Sequence, residues 1–143
     1  MIQLKDIEQL WLIQRSGVPM FKYPENDQKI DDSLFAGMLT AILQLVRTSM
    51  GHFIETIAMG DRSFCIVSVE ELDLIIVVQT PKNIKSKQVH KQLEVIREKL
   101  MKTYTLASIK NWDGSCEFFK SFTDQLKEEK ESDPVNLFFG TRD

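Results

Sequence analysis

The sequence predicts an α+β domain, a five-stranded antiparallel sheet with helices on both faces. Apolar residues recur at helical spacing over 32–50 and 86–104, and a further helix is indicated over about 115–131. Strands are predicted over five shorter runs, which are 7–14, 18–23, 52–59, 62–69 and 72–79. Tight turns join several of these runs, so neighbouring strands should pair antiparallel. The order β-β-α-β-β-β-α-α therefore favours one sheet in an α/β/α sandwich.

The composition of each strand predicts its place in the sheet. Residues 7–14 and 74–78 are densely apolar, which is typical of strands covered on both faces. Pro19 has no N–H to donate to a ladder, so its strand belongs at an edge. If the two dense strands lie side by side, the strand order is 2-1-5-4-3.

The helix predicted over 32–50 is more apolar than a sheet-covering helix needs to be. Asp31 or Asp32 can cap its start, and Gly51 can end it in a left-handed conformation. One apolar stripe suffices to cover a sheet, and this helix has two. The first consists of Leu34, Met38, Ala41, Ile42 and Leu45, and the second of Phe35, Leu39, Leu43, Val46 and Met50. We expect another helix or a partner protein to cover whichever stripe the sheet leaves open.

Length and composition favour a single soluble domain over residues 1–131, followed by a flexible tail over 132–143. The chain has 143 residues, 43% of them hydrophobic and 27% charged, with a formal net charge of −3. This charge argues against a general nucleic-acid binder. The longest apolar run is too short to span a membrane, and the start of the chain lacks a signal-peptide pattern. Two cysteines at no metal-ligand spacing favour a reducing, cytoplasmic location.

The sequence offers no converging set of catalytic or metal-binding residues. His52 and His90 fall in different predicted elements, without a cysteine or carboxylate at ligand spacing. Ser16 lacks the flanking glycines of a nucleophile elbow. No phosphate-binding loop of the G-x-x-x-x-G-K-[ST] type occurs. We therefore predict a protein that is not an enzyme and that needs no cofactor or metal.

Basic residues gather around the helix predicted over 86–104. They are Lys85, Lys87, Lys91, Arg97 and Lys99. Such a face is either simply solvated or a docking face for an acidic protein, since a charge cluster steers association. An anionic membrane surface is less favoured. Nucleic acid is also less favoured, because no aromatic residues interleave with the lysines as a stacking platform requires.

The order of elements and two stretches resemble the longin and roadblock superfamily, whose topology is longin/profilin-like. Residues 12–21 (LIQRSGVPMF) are similar to its opening hairpin, and residues 33–42 (SLFAGMLTAI) resemble the first helix of stand-alone prokaryotic and archaeal members. The resemblance covers about 5–104, and 105–131 match the extra C-terminal helix of the longin type. It implies a non-enzymatic scaffold that pairs with another such domain. It also implies binding or regulation of a small Ras-like GTPase, in trafficking-like or polarity processes.

The resemblance and the two-striped helix together predict a dimer, either with itself or with another longin/roadblock-like chain. The strand over 52–59 lies at an edge without proline, glycine or lysine, and such an edge readily pairs. A two-fold contact could bury this edge together with the helix. The predicted interface consists of Leu39, Leu43, Val46, Met50, Phe53, Ile54 and Thr56.

Three other possibilities stay open. The C-terminal helix could cover the second stripe and keep the protein monomeric. The chain could be a structural subunit of a larger complex. It could also be a small-ligand sensor or enzyme on a similar sandwich, which requires polar groups pointing into an apolar pocket. The sequence by itself indicates no such pocket.

Overall fold

The computed structural model describes residues 7–23 and 31–131, with side chains as far as Lys127. Its strands are β1 (Gln9–Gln14), β2 (Pro19–Tyr23), β3 (Thr56–Met59), β4 (Arg62–Val69) and β5 (Leu74–Pro81). Its helices are α1 (Asp32–Met50), α2 (Ser86–Thr103), α3 (Leu106–Lys110) and α4 (Lys120–Glu131). The predicted flexible tail over 132–143 lies outside the described residues.

The five strands form one antiparallel sheet in the order β2-β1-β5-β4-β3, which confirms the predicted topology. The two central strands are β1 and β5, and the residues from Leu74 to Thr80 are all buried. This burial explains why both strands lack an apolar–polar alternation. The proline-containing β2 and the short β3 occupy the two edges.

Of the described helices, α1 is the one that covers the first face of the sheet. Trp11 lies at the centre of this layer, with its ring centroid 4.7 Å from that of Phe35. The Trp11 indole N–H also donates to the Asp32 carboxylate, at 3.3 Å. The turn between β1 and β2 also lies close to α1. A Cβ added at Gly17 would come 3.0 Å from Thr40 Oγ1, and the φ of +101° at this position also favours glycine. These contacts fix the rotation of α1 about its own axis.

The other face is covered by α2, α3 and α4. Val89, Leu93, Ile96 and Leu100 of α2 are fully buried against it, as their helical spacing predicts. Phe119 just before α4 and Phe122 within it also pack here, and their ring centroids lie 5.2 and 5.5 Å from that of Phe21. Together with Tyr104, Trp112 and Phe118 they form an aromatic cluster that docks α4 on the sheet.

Two local predictions need correction. Residues 105–114, between the helices predicted over 86–104 and about 115–131, contain a short helix, α3, which starts with a capping box between Thr105 and Ser108. The strand predicted over 52–59 is only half formed. Its ladder runs from Met59 to Thr56, and one further bond joins the Ile66 N–H to the Glu55 carbonyl at 2.9 Å. Residues 52–54 are not paired with β4, because the chain there is descending from α1, above the sheet, to the sheet edge.

Candidate interaction surface

The sheet-facing side of α1 is the second of its two predicted stripes. Phe35, Ala36 and Leu39 are buried, and Leu43 packs partly against the same layer. Leu39 is 0% exposed, so it is not available to a partner and the predicted interface is wrong at this position. Leu43 and Val46 are half-buried on the same side of the helix. Helical spacing distinguishes the two stripes but does not tell which of them faces the sheet.

The outward side of α1 is the first predicted stripe. Its exposed fractions include 72% for Leu34, 45% for Met38, 37% for Ile42 and 66% for Leu45. We refer to Leu34, Met38, Ala41, Ile42 and Leu45 as the α1 apolar stripe. Because α2, α3 and α4 all pack on the other face of the sheet, no element in 7–23 or 31–131 covers it. A contiguous exposed apolar surface of this kind is typical of an interaction site.

The remaining predicted interface residues follow α1 in the chain. Met50 and Phe53 are 65% and 61% exposed, Ile54 is half-buried, and Thr56 is exposed. The Phe53 ring lies 4.9 Å from the Arg47 guanidinium carbon, a cation–π contact. Thr56 begins the edge strand β3. In the β3–β4 ladder Glu55 lies at a hydrogen-bonded pair, so alternation points the N–H groups of Thr56 and Ala58 away from β4.

The apolar composition of α1 raises the question of a membrane environment. Among the described residues, α1 is the one helix long and apolar enough to cross a membrane, and 17% of its most apolar 18-residue window is buried. A helix that packs one side on a sheet passes the same test of length and composition, so this finding supports no span by itself.

The predicted basic face of α2 is partly neutralised. Lys85, Lys87 and Lys91 are exposed. Arg97, however, donates to both oxygens of Glu71, at 2.9 and 2.8 Å. The backbone N–H of Glu71 itself, and after it Arg97, hold the pKa of that carboxyl below its ordinary value. Lys99 is half-buried, so three of the five predicted cations are fully presented to solvent.

The described part of the chain holds no group of three or more His, Cys, Asp or Glu that could bind a metal ion. Cys65 is buried between β3 and α2, and this burial raises the pKa of its thiol. His52 and His90 lie in separate elements. His90 is nevertheless notable, because its Nε2 is buried without a hydrogen-bond partner among the described residues.

This architecture, an antiparallel sheet in the order 2-1-5-4-3 with its helices, is a longin/roadblock-like fold. Among solved structures it is similar to MglB of Myxococcus xanthus, with 15% identity and a TM-score of 0.57 over 68% of this chain and 85% of that one. A Roadblock/LC7 domain from Streptomyces avermitilis matches with 9% identity and a TM-score of 0.49, over 67% and 87%. No protein-family model and no curated protein matches the sequence.

Proposed function

We propose that this protein is a non-enzymatic, cytoplasmic interaction module that pairs through α1 and β3 and binds or regulates a small Ras-like GTPase. The observation that carries the proposal is the α1 apolar stripe, which the chain's own described elements leave open to solvent. The partner across this stripe is a second copy of the chain or another longin/roadblock-like protein. Trafficking-like or polarity processes are the setting that the superfamily resemblance implies.

The shape of the stripe suits a second helix. Gly37 and Ala41 lie one turn apart on the exposed side, and a Cβ added at Gly37 would meet no atom within 4 Å. Small residues let two helix backbones approach closely, and Leu34 and Leu45 flank them on the same side. Two copies related by a two-fold axis would each bury the same residues.

The β3 edge suits strand pairing in the same contact. Within 7–23 and 31–131 the outward N–H groups of Thr56 and Ala58 have no acceptor, and they lie at the end of the sheet, close in the chain to Met50 and Phe53. An edge of this kind pairs readily with another strand. Helix and edge together would therefore join two sheets into one.

The GTPase half of the proposal rests on the superfamily resemblance. The sequence has no phosphate-binding loop, so the chain would serve a GTPase rather than act as one. Lys85, Lys87 and Lys91 are the cations we expect to meet an acidic partner. Because exposed charges at this spacing are screened by salt, their contribution should fall as ionic strength rises.

Sedimentation of the full chain over a concentration series tests the pairing. Ala58→Pro removes an outward N–H and should weaken the dimer. Ile57→Pro instead removes an inward N–H from the ladder with β4 and should lower stability. Affinity capture of purified small GTPases, loaded with GDP or with a GTP analogue, tests the second half. Failure to bind any of them in either state would contradict the GTPase role.

A further inference from the structure

A pocket of about 510 Å³ lies where β3 stops short of β4. Continued past Thr56, the β3–β4 register would place Ile54 opposite Val67 and Phe53 opposite Ser68. Instead, both of these segments line the pocket. The missing half of β3 is therefore the physical origin of the space. Its volume falls within the range of small-molecule sites, roughly 300–1,000 Å³.

Aliphatic side chains form one part of the pocket lining. Ile66 and Ile75 belong to the core layer beneath α1, and Leu43 packs against that layer from α1. Ile54 and Val67 complete an aliphatic lining. A hydrocarbon chain of medium length would find van der Waals partners on several sides here.

Donors for an anion converge on the α1 side of this lining. The Arg15 guanidinium donates to Ser68 Oγ at 2.9 Å and lies 3.5 Å from a Glu70 carboxylate oxygen. Arg47 also lines the pocket, and among the described residues its guanidinium contacts the Phe53 ring rather than a carboxylate. The ladder alternation points the Ser68 N–H towards the vacant strand position, where the described chain supplies no acceptor.

The α2 side of the pocket differs in charge. His90 and Glu94 enter from α2, on the opposite face of the sheet from α1. Glu94 lies 3.8 Å from Arg97. Glu55 also lines the pocket, but it lies opposite Ile66 and therefore on the α1 face. Because Glu94 comes from the α2 side and the two arginines come from the α1 side, an anionic head group should lie next to Arg15 and Arg47.

We propose that this pocket binds a small amphipathic anion, an alkyl chain of medium length with a carboxylate or phosphate head. The head accepts hydrogen bonds from Arg47, Arg15 and the Ser68 N–H, and the chain packs against Ile54 and Ile66. Guanidinium groups suit both head groups, because their paired N–H donors match carboxylate and phosphate geometry. The site lies behind α1 and does not include the α1 apolar stripe, but it shares Leu43, Phe53 and Ile54 with the predicted interface.

Titration calorimetry of the full chain with four eight-carbon probes tests the site. Octanoate and octyl phosphate share the anionic head, octanol is neutral and octylamine is cationic. At least one anionic probe should bind, below its micelle concentration, at least tenfold more tightly than octanol and octylamine. The ratio of the two anionic affinities tells a carboxylate ligand from a phosphate one. Amide NMR shifts should concentrate at residues 53–55 and 66–68.

Two matched variants locate the head group. Arg47→Met keeps a long side chain over Phe53 but removes the charge, and it should weaken the anionic probe about tenfold. Arg97→Met, on α2 and outside the pocket, should leave binding unchanged. Leu45→Glu should disrupt pairing through the α1 apolar stripe and still bind the probe, so failure of the pocket and failure of the dimer are distinguishable.

Three results would overturn the proposal. In the first, neither anionic probe binds. In the second, octylamine binds as tightly as the better anionic probe, or Arg47→Met and Arg97→Met weaken binding equally. In the third, the amides of residues 53 and 54 are as protected from hydrogen exchange as those of β3. That protection would mean that β3 extends along β4 and closes the pocket.

Discussion

Replacement of Leu45 by alanine should weaken self-association without unfolding the protein. Leu45 is 66% exposed in the single chain, so most of its side chain is available to a partner. The change deletes three carbons, and each buried methylene contributes about 0.8 kcal/mol. Scaled by the exposed fraction, the loss is about 1.6 kcal/mol per copy. A two-fold dimer loses it twice, about 3 kcal/mol, so Kd should rise roughly 100-fold at about 1.4 kcal/mol per decade.

Leu106→Ala is the matched control, because Leu106 is a 40% exposed leucine on α3, away from the α1 apolar stripe. Sedimentation equilibrium of both variants and the parent chain gives the three dissociation constants. Thermal unfolding at low concentration should be nearly unchanged by Leu45→Ala, since alanine favours a helix at least as well as leucine. Equal dissociation constants for the two variants, or a parent chain that stays monomeric at the highest concentration, would refute the reasoning.

The C-terminal helix and its aromatic cluster give two more predictions. Phe122→Ala, at a 0% exposed position against Phe21, should cost about 3–5 kcal/mol in urea unfolding, and a loss below 1 kcal/mol would show that α4 is not docked. Tyr104 donates to the Phe118 carbonyl at 2.9 Å, and burial raises the pKa of its phenol above the ordinary 10.0. The unfolded chain therefore loses this proton first, so stability should fall as pH rises above about 10. Tyr104→Phe should reduce that fall, and an unchanged pH dependence would contradict it.

Much of the fold could be predicted from local patterns. The bounds of α1 agree with prediction, because Asp31 accepts from the Leu34 N–H at 3.1 Å and Gly51 ends the helix in a left-handed conformation. The strand order also agrees with prediction. Strands covered on both faces are dense in apolar residues and edge strands are not. The composition of each strand therefore predicts its place in the sheet.

The tertiary structure decided which surface of α1 faces outward and where the pocket lies. A helical period of 3.6 residues distinguishes the two apolar stripes. It does not predict the rotation of the helix about its axis, which decides which stripe faces the sheet. That rotation is set by contacts distant in the chain, such as Trp11 with Asp32 and Phe35. The pocket likewise joins Arg15 of the β1–β2 turn, Arg47 of α1 and His90 of α2. It exists because β3 must leave β4 to reach α1, a constraint of chain path that no run of residues encodes by itself.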